Sequence, residues 1–161
     1  MALVLGKNNI KLMKNIAATL VERAEADGCI ICDGGGHMLV EHGVGTNDPL
    51  LLAALGAGVF AGSRELAAML GEDNFSAVFH QGERKSIFIR AVNEEILLVV
   101  IFSKQDGAGL VKLYASPAAD RIRALLEELE LTGDKAEHEE KSFVLKNGGN
   151  VFEADKTADG E

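Results

Sequence analysis

The chain has 161 residues, 47% of them hydrophobic, which is enough to bury one core and too short for two ordinary domains. A net charge of −9, with no local cluster of Lys and Arg, argues against nucleic acid as a partner. No run approaches the ~20 uninterrupted apolar residues of a membrane helix, Ile96–Ser103 and its flanks coming nearest, so no membrane insertion is expected.

The chain opens with Met-Ala-Leu-Val-Leu-Gly-Lys, whose apolar run is too short for a secretory signal and whose lysine follows it instead of preceding it; a cytoplasmic protein is expected. Ile10, Met13, Ile16, Ala17, Leu20 and Ala24 then recur at steps of three and four and predict an amphipathic helix, with Gly28 as its stop. Cys29–Cys32 reads as a short buried strand, Asp33-Gly34-Gly35-Gly36 as a turn, and His37–Gly43 as the return strand of a hairpin. Asn47-Asp48-Pro49 starts a second helix that reaches about Leu70 and closes at Gly71. Three strands follow, Asn74–Gln81, Arg84–Ala91 and Glu95–Ser103, joined by turns short enough for an antiparallel meander. The run Ile96–Phe102 is apolar on both faces and belongs at the centre of the sheet, with helices on each side. From Gly109 a third helical pattern holds its phase through Leu110, Tyr114, Ala118, Ile122, Leu125 and Leu129 despite Pro117, which favours one kinked helix over a fresh start at Ser116-Pro117.

This order predicts an α+β sandwich, α-β-β-α-β-β-β-α, on a five-stranded antiparallel sheet with helices on both faces, spanning residues 8–131. Residues 132–161 carry eight acidic and four basic residues, with Phe143, Val144, Leu145, Val151 and Phe152 as the few apolar anchors. They read as an acidic C-terminal tail, disordered alone or partner-binding, because two small clusters do not offset the ordering entropy.

Enzymatic apparatus is hard to assemble from this sequence, and no cofactor is expected. The Gly34-Gly35-Gly36 turn lacks the Lys-Ser/Thr of a phosphate loop and opens no helix. Cys29 and Cys32, three apart on a strand, point to opposite faces and cannot share a metal; two thiols also exclude a disulfide framework and suit a reducing compartment. His37 and His42 likewise face opposite ways, and His80 has no ligand pattern around it. The adjacent carboxylates Glu94-Glu95 and Glu127-Glu128 do not converge on a substrate and read as solvated surface.

The second helix is the informative segment, apolar nearly all round. Leu52, Leu55, Val59, Leu66 and Leu70 suggest a large-residue face for the sheet, and Ala54, Ala57, Gly58, Ala61, Glu65 and Ala68 a small-residue face that lets another helix come close. Three glycines in the helix, at roughly 1 kcal/mol each against alanine, call for compensating packing. That packing is either under the chain's own first or third helix or at an interface, and the interface is favoured because one helix on this side of the sheet leaves the small face without an internal partner.

The helix–hairpin–helix–meander–helix order, the Ala/Gly-rich second helix, Gly71-Glu72-Asp73-Asn74-Phe75 followed by Phe79-His80-Gln81-Gly82, Leu97–Phe102, and Gly109–Leu113 together resemble the Roadblock / dynein light chain family over about residues 8–131, most closely its bacterial gliding-motility regulators of the MglB group. The resemblance implies a homodimer in which the edge strand carrying Phe75, Ala77, Phe79 and Gln81 pairs with its twin, the two second helices lying side by side. It implies a partner too: a Ras-like small GTPase of the MglA type, bound on that helical platform at the small face and Arg64, its hydrolysis accelerated in the service of cell polarity or motility. By position Ala61 and Glu65 fall at the GTPase contact, although Glu65 stands where that group carries a small residue; Pro117 is a second departure. Arg64, the one arginine placed on the exposed side of this helix, could serve as an arginine finger worth ~10³–10⁵ in rate. The resemblance implies instead that the regulator reshapes the GTPase's own switch loops. A non-catalytic Roadblock scaffold and a PAS- or GAF-like small-molecule sensor are the alternatives, the sensor requiring a roomy pocket that the doubly apolar Ile96–Phe102 strand argues against.

Overall fold

The computed structural model describes the backbone of residues 5–45 and 48–155 and the side chains up to Gly133, apart from Thr46 and Asn47. Its elements run α1 (Lys7–Arg23), β1 (Gly28–Asp33), β2 (Met38–His42), α2 (Pro49–Met69), β3 (Ala77–His80), β4 (Ser86–Ala91), β5 (Ile96–Phe102) and α3 (Ala108–Asp155). The sheet is antiparallel throughout in the order β2-β1-β5-β4-β3, so β2 and β3 are its edges. The α-β-β-α-β-β-β-α order expected from the sequence is the one observed.

Every residue of β5 is buried, as its two-sided apolarity predicts, and its register places Val99 between Ile30 of β1 and Ile89 of β4. Side chains alternate across the sheet. One face, with Ile30, Cys32, Ile89, Leu97 and Val99, packs against Ala53, Ala57 and Phe60 of α2. On the other side α1 packs on β1 and β2 through its buried stripe of Met13, Ile16, Ala17 and Leu20. The first turns of α3 run beside α1, where Leu20 and Ala118 line a common groove. Among the described residues of Met1–Arg123, α2 is the helix that covers its face of the sheet.

The helix and strand ends correct the sequence reading in detail. Gly28 does not stop α1. That helix ends at Arg23, and Glu25 takes the left-handed conformation with φ 51°, its side chain paired with Lys104. Gly28 instead begins β1, where a Cβ would lie 2.8 Å from the Val44 nitrogen. At the hairpin, Asp33 accepts hydrogen bonds from the Gly35 and His37 amides at 3.0 and 2.8 Å and from His37 Nδ1 at 3.0 Å, and Gly36 carries the positive φ. Asp48 caps α2 by accepting from the Leu51 amide at 3.0 Å, with Pro49 as the first helical residue; Asn47 lies outside the described residues. The strand expected over Asn74–Gln81 is confined to Ala77–His80, so Phe75 and Gln81 flank it.

Pro117 lies inside α3, which is one helix and does not restart at Ser116. The backbone of α3 is helical through Asp155, within the segment whose composition reads as a tail; the side chains of Phe143, Val144, Leu145, Val151 and Phe152 lie outside the described residues. The chain divides into two compact units, Met1–Arg123 and Ala124–Glu161; in the second, Thr132 Oγ1 donates to the Glu128 carbonyl at 2.6 Å.

By length and composition α2 comes nearer to a membrane span than the Ile96–Ser103 run does, but it carries Arg64 and Glu65 and packs one side on the sheet.

Candidate functional site

The surface that distinguishes this molecule is the outer side of α2. Its sheet-facing residues are Ala53, Gly56, Ala57, Phe60, Ser63 and Ala67, spaced by three and four. For the large residues this inverts the expected arrangement, whereas the small-residue face stays exposed as expected apart from Ala57. Small residues face inward because the branched side chains of the sheet fill the space beneath them: a Cβ on Gly56 would already lie 3.5 Å from Val99 Cγ2 and 3.9 Å from Ile89 Cδ1. Phe60 is the one large side chain that α2 buries fully in the core, half-buried Leu52 packing beside it, and Ser63 meets its own need there by donating Oγ to the Phe60 carbonyl at 2.7 Å.

The large residues consequently point outward. Leu55, Val59, Leu66 and Leu70, expected on the sheet, are 60%, 40%, 58% and 73% exposed, and Leu50, Leu51 and Met69 join them at 60%, 53% and 84%; of the expected sheet-facing set only Leu52 is half-buried. Helical spacing divides this outer side into a ridge of large residues, Leu55, Val59, Leu66 and Leu70, and a stripe of small ones, Ala54, Ala61 and Ala68, separated by Gly58 and Gly62. Beyond its chain neighbours and the helix's own backbone, neither glycine has an atom within 4 Å of the place a Cβ would occupy.

Of the residues expected at a GTPase contact, Ala54, Gly58, Ala61, Glu65 and Ala68 are exposed on that outer side. Ala57 is not: it is 3% exposed and packs on the sheet. Arg64 is half-buried instead of projecting. Its guanidinium lies 5.3 Å from the Phe60 ring centroid and donates Nη2 to the Glu94 carbonyl at 3.0 Å. Ala77 and Phe79 lie on edge strand β3, Phe79 stacked on Phe102 at 5.9 Å between ring centroids and still 38% exposed. The leucine ridge is what sequence reasoning missed. Its signal was the Ala53-Gly56-Ala57-Phe60-Ser63-Ala67 spacing, which a uniformly apolar helix hides.

The described residues hold no group of three or more His, Cys, Asp or Glu suited to a metal. Burial pushes the Cys29 thiol up to about 12 and Cys32 to about 11, the nearby Cys32 and Asp33 charges adding to the effect in turn, so both thiols rest protonated in the core.

Comparison with known proteins agrees with this architecture. The model of the Roadblock/LC7 domain matches residues 14–102. Among solved structures, Myxococcus xanthus MglB is similar at 30% identity and a TM-score of 0.73, covering 79% of this chain and 96% of that one. The gliding protein MglB of Thermus thermophilus is similar at 29% identity and a TM-score of 0.72, over 79% of this chain and 97% of that one. An MglB with a tetrameric arrangement aligns at 29% identity and a TM-score of 0.73, over 80% and 97%. Among curated proteins none matches significantly. The domain match spans more than half of the chain, and the chain therefore belongs to the Roadblock/LC7 family.

Proposed function

We propose that this protein is a cytoplasmic, homodimeric regulator of a Ras-like small GTPase of the MglA type, and that it stimulates GTP hydrolysis from a platform built by α2 of each subunit. The observation that carries this reading is the outer side of α2, with seven large apolar residues between 40% and 84% exposed along one helix. Contiguous apolar surface on that scale marks a protein interface. Likeness to MglB structures supports the choice of partner class. Edge strand β3, with Phe79 exposed on it, offers the backbone groups through which two copies would join their sheets.

The mechanism proposed is rearrangement of the GTPase's own switch loops, not an inserted finger. Arg64 is the only arginine of α2, and withdrawing it would break its bond to the Glu94 carbonyl and its stacking on Phe60. The same observation favours the second reading, a scaffold that binds the GTPase without stimulating it. Single-turnover hydrolysis by the MglA-type GTPase of the same organism, with and without this protein, separates them. Stimulation is expected, with a loss of at least about tenfold in Ala61→Arg, which places a long charged side chain on the exposed small stripe. Binding without stimulation would leave the scaffold; no binding would sink both.

A further inference from the structure

A cavity of about 310 Å³ opens at the end of the sheet where β4 turns into β5. Its floor is apolar, made by Phe60, Phe75, Ala91 and Val92, and its walls carry Arg64 and Arg123. The two arginines reach the turn from opposite sides of the sheet, Arg64 on α2 and Arg123 on α3. Each is anchored by a backbone carbonyl: Arg64 Nη2 donates to Glu94 at 3.0 Å and Arg123 Nε to Val92 at 2.7 Å. Arg123 Nη1 also pairs with Asp120 at 3.3 Å.

The turn that fixes them is itself braced. Asn93 Oδ1 accepts from the Glu95 and Ile96 amides at 2.9 and 2.7 Å. These bonds hold two guanidiniums at one cavity while leaving Arg64 Nη1 and Arg123 Nη2 without a protein acceptor among the described residues. Arg64 Nε is buried with no hydrogen-bond partner among the described residues and does not face the cavity. Among the described residues two guanidiniums and one carboxylate, Glu94, line the cavity, and Asp120, paired with Arg123, sets a second carboxylate beside it, so what the cavity offers an anion is guanidinium donors still free and not a net positive charge.

We propose that this cavity binds a small organic anion, its carboxylate held between Arg64 and Arg123 and its apolar body resting on Phe60 and Phe75. Planar guanidiniums suit a carboxylate through paired N–H donors, and an aromatic floor suits a flat or branched hydrocarbon body. The inference does not depend on the GTPase reading, since it concerns the chain alone.

Titration of the full-length protein followed by amide NMR, with benzoate, acetate and inorganic phosphate as separate probes, tests it. Benzoate is expected to bind saturably, shifting the Val92–Glu94 amides, and at least about tenfold tighter than acetate or phosphate. Arg123→Met and Arg64→Met should each weaken benzoate by about tenfold or more, while Arg123→Lys, which keeps the charge on a solvent-reaching stem, should weaken it less than Arg123→Met. The exposed Lys112→Met serves as the unaffected control, and circular dichroism identifies any variant that does not fold, in which case the Arg123→Lys and Arg123→Met pair decides. Absence of saturable benzoate binding, binding untouched by both arginine variants, or phosphate binding as tightly as benzoate would each overturn the proposal.

Discussion

At Gly36 two demands meet on one residue. Its φ of +85° is costly for a side chain, and a Cβ there would lie 2.6 Å from the Ala54 Cα, backbone that cannot step aside without moving α2. Gly36→Ala is expected to destabilise the fold by about 2 kcal/mol or more, read from urea denaturation midpoints, with the backbone strain alone supplying roughly 1–2 kcal/mol of it. The two cysteines carry a different consequence. Their thiols titrate near 9.0 when unfolded but near 12 and 11 when buried. Below pH 9 both states keep the protons and stability is unaffected. Above it the unfolded chain releases protons that the native chain retains, so stability falls as pH rises toward 11–12, by up to about 1.4 kcal/mol per pH unit for Cys29. Denaturation midpoints between pH 8 and 11 should show this slope, and Cys29→Ala should flatten it; an equal slope in the variant would show that Cys29 does not carry the effect.

Among the elements, α2 is where stability and the proposed association would separate. Phe60 is its anchor in the core, and Phe60→Ala is expected to cost about 3–5 kcal/mol. Leu55→Lys and Leu66→Lys, on the exposed ridge, should change monomer stability by no more than about 0.5 kcal/mol and yet shift sedimentation toward the monomer. A melting temperature that fell as steeply for Leu66→Lys as for Phe60→Ala would show the ridge to be core. The existence and bounds of α2 are legible in Asp48-Pro49 at one end and Gly71 at the other, because capping is local chemistry. Its orientation is not. In a helix apolar all round, residue size suggests that the large side turns inward, whereas the depth of the groove beneath decides the matter, and that depth is set by Ile30, Ile89 and Val99 on strands distant in sequence. The half-buried place of Arg64 escapes a sequence reading for the same reason: Phe60 and the Glu94 carbonyl that hold it come together around it only in the folded chain.

For the whole molecule, element order and the central place of β5 are readable from periodicity, since both rest on patterns within single segments. The cavity between Arg64 and Arg123 is not, because its walls come from α2, the approach to β3, the β4–β5 turn and α3, and no spacing in the sequence joins them. The open sheet has one more implication. A sheet with two free edges can in principle grow without end, each new copy offering a fresh strand to the next. Here the edges are unequal. The pairing of β2 with β1 slips between Ile31 and Cys32, and its last residues, Glu41 and His42, are exposed and polar, whereas β3 keeps a regular register with β4. Irregular, polar edges resist strand addition. Joining through β3 would consume the one receptive edge of each copy, so that assembly by this route terminates at a closed pair and does not propagate into a filament.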